Sequence, residues 1–328
     1  MKRRHFVQQG SQAGLALSLV GLAACKQKKT KEPQKVEKDM NEEEVPPFFK
    51  LSLAQWSIHR MIREDGLDPY RFAELAKKWG FTGIEYVNQL YNKELEAAKY
   101  SDSAMANFVD KCNAEAKRNG LQNVLIMIDG EGGMAVPKAA DRKQTVENHY
   151  KWVEAAQAMG CGAIRVNLYG SDDPKIWKEA SVDSLTQLST YAKDKNINVV
   201  VENHGGLSSN GAMVADVMKT VNLPNCGTLP DFGNFCITRG DSGCADMYDI
   251  YKGVTEMMPY AKAVSAKSHD FDAQGNETEI DYAKMLQIVK EAGYAGFIGV
   301  EYEGGGLSEE AGILATKELM LKAAKTLG

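Results

Sequence analysis

From Phe49 onward the chain repeats one pattern: a short apolar run, then a longer segment in which apolar residues recur every three or four positions. The short runs are rich in Val, Ile and Leu and too brief for helices, so they read as buried parallel strands flanked by amphipathic helices. Strands are predicted at Lys50–Gln55, Thr82–Val87, Asn123–Asp129, Ala163–Leu168, Asn198–Asn203, Gly227–Asp231, Lys262–His269 and Gly296–Tyr302. Helices are predicted at Tyr70–Trp79, Asp102–Asn119, Lys143–Met159, Asp183–Lys195, Ala212–Val221, Met247–Met258, Tyr282–Ala292 and from Ser308 to near the end. Gly80, Gly120, Gly160 and Gly293 stand just past helix ends, where a residue without Cβ closes a helix in the left-handed conformation at little cost. Eight strand–helix units in succession predict an α/β fold, a single-domain (β/α)8 TIM barrel over residues 49–328. An open doubly wound sheet is the alternative, but no Gly-rich dinucleotide fingerprint follows the first strand.

The first 48 residues break the pattern. Arg3-Arg4-His5-Phe6-Val7 followed by the apolar stretch Gly14–Leu22 reads as a twin-arginine export signal over residues 1–24, too short to span a membrane. Leu22-Ala23-Ala24-Cys25 resembles the lipobox of bacterial lipoproteins, which implies cleavage before Cys25 and lipidation of its sulfur. An uncleaved amphipathic start is the plain alternative. Residues 25–48, rich in Lys, Glu, Gln and Pro, cannot bury enough apolar surface to offset the entropy of ordering and read as a disordered tether. The expectation is an exported lipoprotein of the bacterial cell envelope, facing the periplasm or the outer surface and touching the membrane through its lipid anchor alone.

Composition narrows the partners. With 44% hydrophobic and 25% charged residues the chain is an ordinary globular one, and a net charge of −5, more acidic once Lys2, Arg3 and Arg4 are removed, argues against nucleic acid. A homo-oligomer is compatible with this surface. Five cysteines lie beyond Cys25, an odd number with no zinc-type paired spacing. Cys236 and Cys244 are close enough for a disulfide, which spacing alone does not establish.

In a barrel, chemistry sits at the C-terminal ends of the strands. Glu202, Asp231, His269 and Glu301 end four successive predicted strands, so barrel closure would turn them toward one centre. A lone carboxylate at a strand end is more often a loop cap or ion-pair partner; four polar ligands in strand order point to a metal site. Three carboxylates and an imidazole leave room for further oxygen ligands, which suits one divalent ion, Mn²⁺ ahead of Mg²⁺, Co²⁺ or Zn²⁺.

The runs Val201-Glu202-Asn203-His204-Gly205-Gly206, Pro230-Asp231-Phe232-Gly233-Asn234-Phe235, Lys267-Ser268-His269-Asp270-Phe271-Asp272 and Val300-Glu301-Tyr302-Glu303-Gly304 resemble the xylose isomerase-like TIM-barrel superfamily, in its sugar isomerase/epimerase branch. The resemblance spans about residues 50–328. It implies that the four residues bind the metal and that Glu202 and Glu301 also serve as acid and base. A metal holding adjacent carbonyl and hydroxyl oxygens would stabilise an enediolate while the two glutamates remove and return a proton, giving isomerisation or epimerisation of a small sugar or keto sugar. Two family features are missing: no His follows the sixth-strand acid, where Gly233-Asn234-Phe235 stands, and no Arg follows His269.

Other residues at the mouth are candidates for substrate contact. His204 would share a strand face with Glu202 and Lys267 with His269, the first as a hydroxyl partner or a support, the second as an electrophile or an ion-pair partner. Arg165 and Asn167 could orient substrate or hold a carboxylate. Trp56 and His59 could form a sugar platform or ordinary loop packing, and Glu85 and Asn234 complete the set; His149, inside a helix pattern, reads as structural. Gly304-Gly305-Gly306 could cradle phosphate or simply make a turn. The same proton abstraction would serve a lyase that eliminates the aglycone of a 3-keto-glycoside, and outside catalysis the barrel could be a sugar-binding lipoprotein. A multizinc endonuclease is disfavoured, because only His59, His149, His204 and His269 follow the anchor.

Overall fold

The computed structural model describes residues 46–241 and 243–327. The export signal, Cys25 and nearly all of the tether lie outside the described residues. The eight parallel strands are β1 Lys50–Ala54, β2 Gly83–Val87, β3 Gln122–Met127, β4 Ala163–Val166, β5 Asn198–Glu202, β6 Cys226–Leu229, β9 Val264–Ser268 and β10 Phe297–Tyr302, with an extra antiparallel pair, β7 Cys236–Gly240 and β8 Gly243–Met247, inserted after β6. The sheet order is β6-β5-β4-β3-β2-β1-β10-β9, consecutive barrel strands lying side by side and the first, β1, pairing with the last, β10. Parallel bridges Thr228↔Ala261 and Asp231↔Ser265 join the β6 edge to the β9 edge and close the barrel. This is the predicted (β/α)8 fold.

The helices outside it are α1 His59–Arg63, α2 Phe72–Lys78, α3 Asn92–Ala97, α4 Asp102–Asn119, α5 Ala139–Met159, α6 Pro174–Lys193, α7 Gly211–Val221, α8 Ile250–Met257, α9 Tyr282–Glu291 and α10 Glu309–Thr326. None of them is long and apolar enough to cross a membrane. Strands covered on both faces need no alternation, and Val199, Val200 and Val201 of β5 are all fully buried. Gly120 and Gly160 close α4 and α5 at φ 65° and 71°, the left-handed cap expected of them.

Two departures matter for the site. Several strands stop earlier than predicted, so Asp129, Asn167 and His269 stand just beyond the ladder, where the chain turns into loop and side chains are released from strict alternation, and Asp231 lies past the end of β6 on a single bridge to Ser265. The β7–β8 hairpin was not expected; where Met247 was assigned to a helix it ends a strand, and α8 begins three residues later behind its cap, Asp249. Cys236 and Cys244 are disulfide-bonded across this hairpin, while Cys112, Cys161 and Cys226 are buried free thiols.

Candidate active site

Barrel closure brings Glu202 from β5, Asp231 just after β6 and Glu301 from β10 together, with one ligand oxygen of each within 4.8 Å of the others. All three are nearly inaccessible to solvent. Burial pushes the Glu202 and Asp231 carboxyls up to about 7 each, against the opposing pull of Arg165 on the first and Lys267 on the second.

Each acid is held from several strands. Asn234 Nδ2 donates to Glu202 Oε1 at 3.0 Å, and Arg165 Nε lies 2.8 Å from Glu202 Oε2, an ionic contact without hydrogen-bond alignment. Asp231 Oδ1 accepts from the backbone N–H groups of Gly233 and Asn234, both at 2.8 Å. Ser265 Oγ stands 2.7 Å from Asp231 Oδ2 and 2.9 Å from Glu301 Oε2; with one proton it donates to one of them at a time. Asn203, fully buried just after β5, donates to the carbonyls of Asp231 and Asn234 and accepts from Asp231 N, which fixes the loop carrying both.

Lys267 on β9 enters this cluster from the barrel interior. Its Nζ is 3.1 Å from Glu301 Oε1, 3.3 Å from Glu303 Oε1 and 3.9 Å from Asp231 Oδ2. Burial works against its charge, but Glu301, Asp231 and Glu303 outweigh it and hold the ammonium protonated well above the ordinary lysine range. Arg165 plays the matching part on the other side, pairing with Asp129 at 2.8 Å as well as facing Glu202. Burial raises the Asp129 carboxyl and Arg165 more than reverses it, leaving it below the usual range. Asn167 Nδ2 donates to the same carboxylate at 2.6 Å.

Above the cluster opens a cleft of roughly 520 Å³ whose floor includes Glu301, Arg165 and Asn234 and whose walls include Trp56, Tyr169, His204, Glu303 and Arg239. Glu202, Asp231 and Lys267 lie behind that floor. The Trp56 ring lines the cleft and stacks on His59 with ring centres 4.5 Å apart; His59 is held beneath it by the Trp56 carbonyl at 2.7 Å and by Glu309 at 3.5 Å. Tyr169 Oη hydrogen-bonds His204 Nδ1, and burial, then Arg165 and Lys267, lower the affinity of His204 for a second proton.

The remaining predicted residues fall elsewhere. His269 does not join the three carboxylates; its backbone N–H donates to Glu277 at 3.2 Å, and its ring lies near Gly233, where a Cβ would sit 3.6 Å from Cε1. Glu85 is inside the barrel rather than on the cleft, accepting from Ser52 Oγ at 2.5 Å and filling the space over Gly299, where a Cβ would meet its Oε2 at 2.5 Å. Burial pushes its carboxyl up to about 8. His149 is buried in α5 and bound to the Thr145 carbonyl, as its helical setting suggested. Gly304 is small because a Cβ would strike the His269 carbonyl, and its own carbonyl accepts from Arg60, so that part of the triglycine is a packing feature. Asp129, Asn203, Tyr169, Ser265, Glu303 and Arg239 had been assigned no part in the site. Three of them carried a signal: Asp129 ends a strand, and Ser265 and Glu303 lie two residues from Lys267 and Glu301 on the same faces.

Three buried carboxylates with mutually close oxygens form the hard donor set that divalent cations take, and Glu202 Oε2 lacks a hydrogen-bond partner, so these residues fit such an ion.

Residues 73–323 match the family model of the xylose isomerase-like TIM barrel. No curated protein matches the chain in sequence. Among solved structures it is similar to the IOLI protein with a bound zinc atom (TM-score 0.64, 16% identity, covering 85% of this chain and 99% of that one). It is also similar to the 3-keto-D-glucoside 4-epimerase YcjR from E. coli (0.60, 14%, 83% and 98%) and to the probable 3-DHS dehydratase AsbF from Bacillus anthracis (0.60, 17%, 83% and 98%). At these identities the likeness speaks for the fold.

Proposed function

Since the chain belongs to the xylose isomerase-like TIM-barrel family, we propose that its site moves a proton beside the carbonyl of a small sugar or keto sugar, as an isomerase or epimerase. The observation that carries this reading is the close approach of two buried glutamates, Glu301 on the floor of the polar cleft and Glu202 just behind it. Binding alone has no use for two buried carboxylates facing one another across the site; proton removal and return do.

Glu202, Asp231 and Glu301 would hold a divalent ion, Mn²⁺ in the first instance, and the ion when bound would supply Lewis-acid polarisation of a substrate oxygen. The protein's own part follows from position. Glu301 reaches the cleft and takes the proton from carbon; Glu202, just behind the floor and backed by Asn234 and Arg165, is its partner in the exchange. Trp56 offers its ring to the apolar face of a sugar. Arg165 and Asn167 act on substrate through Asp129 and Glu202, which they hold in place.

A second reading, elimination of the aglycone from a 3-keto-glycoside, is favoured by the Tyr169–His204 pair on the cleft wall. A departing oxygen needs a proton donor that epimerisation does not require. Incubating the protein with a free ketose and, separately, with a 3-keto-glycoside, then following products by NMR, distinguishes them: epimeric or isomeric sugar supports the first, released aglycone the second. No product from a broad sugar panel would leave a sugar-binding protein instead. Export as a lipid-anchored envelope protein belongs to the same proposal and is supported by the Cys236–Cys244 disulfide, a bond that persists in oxidising compartments.

A further inference from the structure

Among the six oxygens on Glu202, Asp231 and Glu301, Glu202 Oε2 has no hydrogen-bond partner and faces Arg165. Glu301 is gripped by Lys267 on one oxygen and Asp231 by two backbone N–H groups, and Ser265 donates its single proton to one or the other of the two acids. Lys267 is the member that bears on metal binding. Its side chain is 1% exposed and enters beside Gly233, where a Cβ would press to 2.8 Å on Lys267 Cγ, so the β6 loop is shaped to let the chain pass. An imidazole offers a lone pair to a metal; an ammonium offers three N–H donors and none. A divalent ion held by Asp231 and Glu301 would also sit within a few ångströms of a fixed positive charge that already occupies their oxygens.

We propose that Lys267 is a built-in cation of the carboxylate cluster and a direct competitor of divalent metal for Asp231 and Glu301. The site is electrostatically complete without an ion to a degree that a histidine at this position would not give, and a metal enters only by turning Lys267 away. This deepens the metal-site part of the proposed function and rests on its choice of carboxylates.

The test is a titration of metal-stripped, full-length protein with Mn²⁺, the free ion read by electron paramagnetic resonance. Lys267→His should bind one Mn²⁺ more tightly than the wild type by about tenfold or more, the scale on which neighbours of metal ligands alter affinity. Lys267→Met should move in the same direction, Lys267→Arg should stay as weak as the wild type, and adding Asp231→Asn to Lys267→His should erase the gain. Wild-type protein binding one Mn²⁺ as tightly as Lys267→His, or binding that weakens in Lys267→Met, would overturn the proposal. Should Lys267→Met not fold, the His and Arg variants still decide it. Proton exchange into a keto sugar by the wild type is scored separately with no added metal and with excess metal. Competition can then fail while proton transfer stands, or exchange can be absent while Lys267 still governs Mn²⁺ affinity.

Discussion

Glu202, Asp231, Glu301 and Lys267 stand at strand ends with almost no exposure, each held by groups from other strands, whereas the β7–β8 hairpin that rises beside the same cleft is exposed along most of its length and closed by one disulfide. The floor concentrates charge where solvent cannot screen it, so every acid depends on its neighbours and geometry is fixed by mutual need. The rim has few such dependencies and contributes Arg239 to the cleft from a largely exposed strand. In the proposed function, placed protons belong to the floor and adaptation to the rest of the substrate belongs to the rim.

Substitutions that respect this division should produce effects of very different size. Glu301→Gln keeps the shape of the floor and removes the proposed base, so turnover should fall by roughly 10²–10⁴-fold with the circular dichroism spectrum unchanged. Removing the shared cation is a matter of stability: Lys267→Ala leaves Asp231, Glu301 and Glu303 facing one another and should cost about 3–5 kcal/mol in urea denaturation at neutral pH, and a cost under about 1 kcal/mol would show that the floor is wetter than its burial implies.

Glu85 sharpens the same point through pH. Its carboxyl is raised by burial to about 8 in the folded protein, so the folded state favours the protonated form. Its contribution to stability is complete below the unfolded carboxyl value near 4.3 and is lost as pH rises through 8, a change on the order of a few kcal/mol. Glu85→Gln should accordingly stabilise the protein at pH 9 relative to wild type and flatten the dependence between pH 5 and 9, as measured by chemical denaturation. The smallest global effect is expected at the rim. Replacing Cys236 and Cys244 by Ser should alter unfolding free energy by no more than about 1 kcal/mol, because the exposed hairpin gains freedom in the folded protein as well as in the unfolded chain, while its amides exchange faster with deuterium.

The barrel was legible in the sequence because strands covered on both faces are continuous apolar runs, and the convergence of Glu202, Asp231 and Glu301 followed from strand order once closure was assumed. What escaped notice has physical causes. The hairpin residues are exposed on both faces, so neither an apolar run nor an alternation marks them. The start of α6 was signalled by Asp173 as N-cap and Pro174 behind it, yet its apolar spacing is clear only further along. Lys267 was read as an electrophile or an ion-pair partner. Which one depends on the reach of a long side chain past Gly233 toward acids on other strands, a matter of three-dimensional clearance that spacing does not encode. Glu85, expected at the mouth, lies inside because Gly299 leaves it room there.

Proton transfer by the paired glutamates is tested most directly by incubating keto sugars with the protein in D₂O and following the hydrogen on the carbon beside the carbonyl by proton NMR. Its signal should decay with the wild-type protein and persist with Glu202→Gln or Glu301→Gln. Equal decay with the variants, or no decay with the wild type across the panel at any metal concentration, would contradict it.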